Sequence, residues 1–164
     1  MKRNIILIGM PGAGKSTVGV VLAKKKGCRF VDSDLVIQEQ EKRLLHEIIE
    51  QEGIDAFLEI ENRVNAGLKL EHSVIATGGS AVYGKEAMAH LGEIGTICYL
   101  KLSYEAIRDR LGDLNERGVT VREGQTLLDL YEERIPLYEK YADFVIDCED
   151  KSIRQIVQEI TTKC

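Results

Sequence analysis

Residues Gly9 to Thr17, GMPGAGKST, leave this chain few folds to adopt. Gly9, Gly14, Lys15 and Ser16 fill the four fixed places of the phosphate-binding loop, G-x-x-x-x-G-K-[ST], a pattern that carries meaning only between a strand and a helix. Both are present. Asn4-Ile5-Ile6-Leu7-Ile8 leads in as a buried strand should. Thr17 to Lys26 sets Val18, Val21 and Leu22 at spacings of three and four before three lysines and Gly27 end a helix. Glycines let such a loop wrap phosphates with its N–H groups inward, and the helix start adds a positive dipole end. Gly12, Ala13, Gly14, Lys15, Ser16 and Thr17 are therefore the candidate nucleotide-binding residues, with Lys15 directed at the β- and γ-phosphates and the Ser16 hydroxyl at Mg²⁺.

The remainder reads as alternating strand and helix. Short apolar runs at Asn4–Ile8, Arg29–Val31, Ser73–Ala76, Thr96–Leu100 and Phe144–Ile146 are separated by longer helical patterns, which predicts a five-stranded parallel sheet covered on both faces. A helical insertion spans about Leu35 to Leu70, interrupted near Lys42-Arg43 and at Gly53. Its middle part sets Leu45, Ile48 and Ile49 on one face, as in a cover over an acceptor site. Leu102-Ser103 has the form of a helix N-cap before Tyr104 to Leu111. Gly112 to Gln125 is polar, has three glycines and two arginines, and shows neither periodicity, so it reads as a mobile loop. From Thr126 the pattern is helical until Pro136 disturbs it, and a last helix, Ser152 to Ile160, packs on the sheet.

At 164 residues with no linker or repeat, residues 1–164 are expected to form one domain. A net charge of −5 with dispersed basic residues argues against a nucleic-acid partner and for a small-molecule one. The four cysteines have no metal-binding spacing, and Cys98 and Cys148 sit in or beside strand-like runs as small buried hydrophobes. No stretch approaches a membrane span, so the expected location is cytoplasmic, with no membrane partner. With no heptad seam, a monomer is the default.

Two further groups fall at the carboxyl ends of strands, the edge from which the phosphate loop rises. In Phe30-Val31-Asp32-Ser33-Asp34 two aspartates stand two apart, on one side of an extended strand, where one carboxylate can hold Mg²⁺ through water and the other can accept a hydroxyl proton. As a bare pair they would equally read as helix caps. Ser73-Val74-Ile75-Ala76-Thr77 ends in Gly78-Gly79, where a backbone can approach a ligand or simply turn.

Together, and in this order, these segments resemble the shikimate kinase family of nucleoside-monophosphate-kinase-like P-loop proteins, from about Asn4 to Asp147. GMPGAGKSTVG is similar to its first motif, FVDSD to its second, VIATGGS to its third, and Arg134-Ile135-Pro136-Leu137-Tyr138 to its R-x-P-x-Y segment. The resemblance implies a three-layer α/β/α kinase acting on ATP with Mg²⁺, with the insertion over the acceptor and a lid at about 112–125. It implies Asp34 as acceptor ligand and base, Asp32 toward Mg²⁺, and Gly78, Gly79 and Ser80 along the acceptor pocket. Arg134 would take the acceptor carboxylate, Arg117 the ATP phosphates, and Arg110 the adenine. A guanidinium suits these roles because it binds carboxylate or phosphate with two prongs.

Three departures fall in the acceptor half and the lid. Where the family has phenylalanine followed by a carboxylate-binding arginine, this chain has Phe57-Leu58, and Arg63 lies five residues on, about 140° around the helix axis. Ser80 stands where the family has a third glycine, and Arg117 is followed by Gly118-Val119-Thr120 rather than a proline and two leucines. The leading expectation is phosphoryl transfer from ATP to shikimate. The same chemistry on another hydroxy acid, such as homoserine or gluconate, is the second, and a nucleotide-binding protein without catalysis is the third.

Overall fold

The computed structural model describes residues 3–112 and 122–164. Five strands, β1 (Asn4–Ile8), β2 (Arg29–Asp32), β3 (Ser73–Ala76), β4 (Gly95–Lys101) and β5 (Phe144–Asp147), form one parallel sheet in the order β2-β3-β1-β4-β5. β1 is central and wholly buried because its five residues carry apolar side chains or, at Asn4, a fully bonded amide. Asn4 Nδ2 donates to the carbonyls of Leu70 and Ile94 while its Oδ1 accepts from Ser73 N–H, tying three chain segments below the sheet.

Helix α1 (Lys15–Lys26) begins on Gly14 and ends on Gly27, both in left-handed conformations that only glycine adopts without steric cost. The insertion comprises α2 (Ser33–Glu41), α3 (Leu45–Glu52) and α4 (Ile54–Ala66), broken where Lys42 turns left-handed and again at Gly53. It has a small core of its own, Ile37, Ile48, Phe57, Ile60 and Val64, separate from the main core around the sheet. A 3₁₀ turn (Ala81–Tyr83) precedes α5 (Lys85–Ile94), and α6 (Tyr104–Leu111) is capped by Ser103, whose side chain accepts from Ala106 N–H.

Helix α7 (Leu127–Tyr141) starts on a capping box between Thr126 and Asp129 and runs straight through Pro136. The expectation that Pro136 disturbs the helix is therefore corrected. Proline removes one N–H bond to the carbonyl four residues earlier, here on Glu132, an exposed residue that water can serve. The last helix, α8 (Ile153–Lys163), buries Ile156, Val157 and Ile160 against α1 and β5. Cys98 and Cys148 are both buried, as the sequence suggested. Among the described residues no helix is long and apolar enough to cross a membrane.

Candidate active site

A cleft of about 440 Å³ opens at the carboxyl edge of the sheet, walled by the phosphate loop, the start of α2, the segment after β3, and Arg110 and Arg134. The loop between β1 and α1 is stiffened from inside. Lys15 Nζ donates to the carbonyls of Gly9 at 2.6 Å and Met10 at 2.9 Å, and Ala13 N–H donates to Met10 O. Gly9 has φ 152° and packs so closely that a Cβ would lie 2.9 Å from the Leu100 carbonyl oxygen on β4. Burial pushes the Lys15 ammonium down to about 8, with the Arg134 charge acting the same way and Asp34 and Asp32 opposing it. Gly12, Gly14, Ser16 and Thr17 face the cleft, whereas Ala13 turns its methyl into the core and offers only backbone.

Asp32 and Asp34 reach the cleft by a different route from the one expected. Asp32 ends β2 and caps α2, its Oδ1 accepting from Asp34 N–H at 3.0 Å, so Asp34 lies in the first helical turn and not on the strand. Strand alternation does not align the two. The cap does, and the capping role and the cleft position coincide in the same residues. Asp32 Oδ2 accepts from the Ser16 hydroxyl at 3.1 Å. Burial, then the neighbouring Asp32 charge, raises the Asp34 carboxyl to about 6, against the pull of Lys15.

After β3, Thr77 Oγ1 donates to Leu7 O, anchoring the turn to β1. Gly78 and Gly79 are required by space: a Cβ on Gly78 would meet Asp34 Oδ1 at 2.7 Å and Glu61 Oε2 at 2.9 Å. One on Gly79 would meet Pro11 Cδ at 2.7 Å and Arg134 Nη1 at 2.9 Å. Arg134 on α7 is 1 % exposed, stacks over the Tyr83 ring and donates from Nε to Tyr83 Oη. One turn on, Tyr138 Oη donates to Gly79 O at 2.7 Å. Arg110 leans over the phosphate loop and donates to Gly12 O at 3.1 Å.

Ser80 lines the cleft wall, but its hydroxyl turns back to Glu61. Leu58 sits on the far side of Arg134, in a small recess with Ile54, Tyr83 and Arg122. Arg63 is exposed and paired with Glu41 at 2.9 Å, so it does not stand in at position 58. Arg122 pairs with Asp55 at 2.7 Å. Arg117 and most of the expected lid lie outside the described residues. Glu61 and Tyr138 stand behind the cleft wall, bonded to Ser80 and Gly79; sequence reasoning assigned Glu61 no role and Tyr138 only a place in the R-x-P-x-Y resemblance. A signal for Glu61 existed: it is a carboxylate inside the apolar stripe of α4 formed by Phe57, Ile60 and Val64.

Comparison with known proteins gives one consistent result. The family model described as shikimate kinase matches residues 11–164. Shikimate kinase of Persephonella marina is 36 % identical over 159 residues, covering 96 % of each chain. That of a Sulfurihydrogenibium species is 35 % identical over 162 residues, covering 98 % of this chain and 97 % of its own. Among solved structures, shikimate kinase from Acinetobacter baumannii in complex with shikimate superposes with a TM-score of 0.90 at 32 % identity, covering 99 % of this chain and 93 % of that one. The enzyme from Aquifex aeolicus gives 0.84 at 32 % identity, covering 97 % and 94 %. The phosphate loop, the capped aspartate pair and the double glycine thus share one cleft in a fold that matches throughout, and the chain belongs to the shikimate kinase family, ATP-dependent phosphotransferases acting on a shikimate hydroxyl.

Proposed function

We propose that this cleft transfers the γ-phosphoryl group of ATP to a hydroxyl of shikimate, with Asp34 as base, Lys15 and Arg117 on the phosphates, and Arg134 on the acceptor carboxylate. The observation that carries the reading is the meeting of Lys15 and Asp34 in one cleft, close enough for each to perturb the other's ionisation. The amides of residues 12 to 17 and the start of α1 cradle the donor phosphates, and Arg110 borders the adenine. Arg117 joins on the resemblance of its sequence alone.

Asp34 suits a base. At about 6 its carboxyl is more basic than an ordinary aspartate yet mostly ionised at neutral pH. It accepts the proton of the attacking hydroxyl as that oxygen bonds to the γ-phosphorus and the bridge to the β-phosphate breaks, leaving ADP. Lys15 exchanges its carbonyl partners for phosphate oxygens and neutralises charge there. Gly78, Gly79 and Ser80 form the acceptor wall, where the absence of Cβ atoms on both glycines lets Asp34 and Arg134 approach the acceptor.

The Ser16–Asp32 pair is an all-oxygen donor set beside the loop, of the kind Mg²⁺ prefers, and fits that ion with Asp32 acting through water. Bound Mg²⁺ would offset charge on the phosphate oxygens. Leu45 and Phe57 line the cleft, which supports placing the insertion of about 35–70 on the acceptor. With the lid at about 112–125, residues 1–164 are proposed to act as a single domain and as a cytoplasmic monomer.

A coupled assay with shikimate, homoserine and gluconate tests the acceptor. We expect turnover of shikimate, and turnover of either other compound in its place would displace the reading. In Asp34→Asn, kcat should fall by roughly 10²- to 10⁴-fold while ATP binding persists. A wild type inactive on the whole panel would point instead to nucleotide binding without catalysis.

A further inference from the structure

One acceptor-side departure, Ser80, is bonded to a buried carboxyl on α4, and the other, Leu58, lies three residues before that carboxyl on the same helix. Glu61 on α4 is 2 % exposed, and the Ser80 hydroxyl, itself buried, donates to its Oε1 at 2.7 Å. Its other oxygen, Oε2, is buried with no hydrogen-bond partner and lies beside Gly78, where a Cβ would meet both it and Asp34 Oδ1. Its own helix brings it no cation: one turn before stand Phe57 and Leu58, one turn after Val64 and Asn65. Burying a carboxyl this deeply with a single donor is costly, so the donor decides where it points.

We infer that Ser80 is a positioning residue for this site, holding the Glu61 carboxyl by one oxygen so that the other stays fixed behind the acceptor wall, against Gly78. The hydroxyl does from the turn after β3 what a cation at position 58 could do from α4. The inference rests on the reading of this cleft as the acceptor site.

The charged and titratable groups facing Glu61 are Asp34 from α2, Lys15 from α1, and Arg134 and Tyr138 from α7. Burial, foremost, raises the Glu61 carboxyl to about 7, with Asp34 adding to the rise. The Ser80 hydrogen bond is the largest influence against it, followed by Arg134 and Lys15. Removing the Ser80 hydroxyl must therefore raise the Glu61 midpoint further, and a cation on α4 must lower it.

The test follows the Glu61 carboxyl by ¹³C NMR in the unliganded protein, alongside steady-state kinetics. Ser80→Gly should raise the Glu61 midpoint and raise KM for shikimate roughly tenfold with KM for ATP unchanged. Ser80→Thr, which keeps the hydroxyl, should hold the Glu61 midpoint near its wild-type value. Adding Leu58→Arg to Ser80→Gly should bring both quantities back, since residues three apart on a helix are neighbours. A Glu61 midpoint unmoved by Ser80→Gly, or a double variant that merely adds two independent effects, would overturn the inference. If the midpoint moves as expected in a protein that does not turn over shikimate, the Ser80–Glu61 pairing stands and the assigned acceptor falls.

Discussion

Gly79 needs to be glycine for spatial rather than conformational reasons. Its backbone is not left-handed, but a methyl there would press on Pro11 and on the Arg134 guanidinium at 2.9 Å. Gly79→Ala should therefore push on both Arg134 and Pro11 of the phosphate loop. We expect kcat/KM for the acceptor to fall about 10²-fold and ATP binding to weaken as well, measured by steady-state kinetics and nucleotide titration. The same paragraph of sequence that yielded Gly78 and Gly79 could not yield their reason. A Gly-Gly pair after a strand is a turn or a site, and only the approach of Asp34, Glu61, Pro11 and Arg134 from four other segments decides which.

At the level of elements, α1 and β2 are joined by a close contact at Gly19, in the middle of the helix. A Cβ there would lie 2.6 Å from Phe30 Cε1. Alanine normally favours a helix over glycine, yet here Gly19→Ala should destabilise the protein by about 1–3 kcal/mol, read from the urea midpoint, because overpacking outweighs propensity. The strands were legible because they are short, apolar and separated by helical periodicity, and the phosphate loop because its chemistry is local in sequence. What local pattern could not reveal was continuity or convergence. Pro136 looked like a break because the solvent exposure of Glu132 is a tertiary fact. Asp34 looked like a strand residue because β2 and α2 join without a linker, through the Asp32 cap. Glu61 was passed over because its partner, Ser80, is nineteen residues away on another element.

For the whole molecule, the buried carboxyl of Glu61 sets a pH dependence of stability. Its midpoint is raised from 4.5 to about 7 in the folded chain, so between those values the folded state holds more protons than the unfolded one. Stability must fall as pH rises through that window. Its part of that fall is at most about 3 kcal/mol, and Glu61→Gln should flatten the curve of urea stability between pH 5 and pH 8. The central strand has another consequence, which concerns the order of synthesis. Both partners of β1 come late: Ile5 pairs with Val74 on one side and Thr96 on the other, and Gly9 rests against the Leu100 carbonyl. During translation the phosphate loop is thus made before either strand that flanks β1, and it gains its second flank only once β4 has left the ribosome. The nucleotide cradle is local in sequence, but its full support is not.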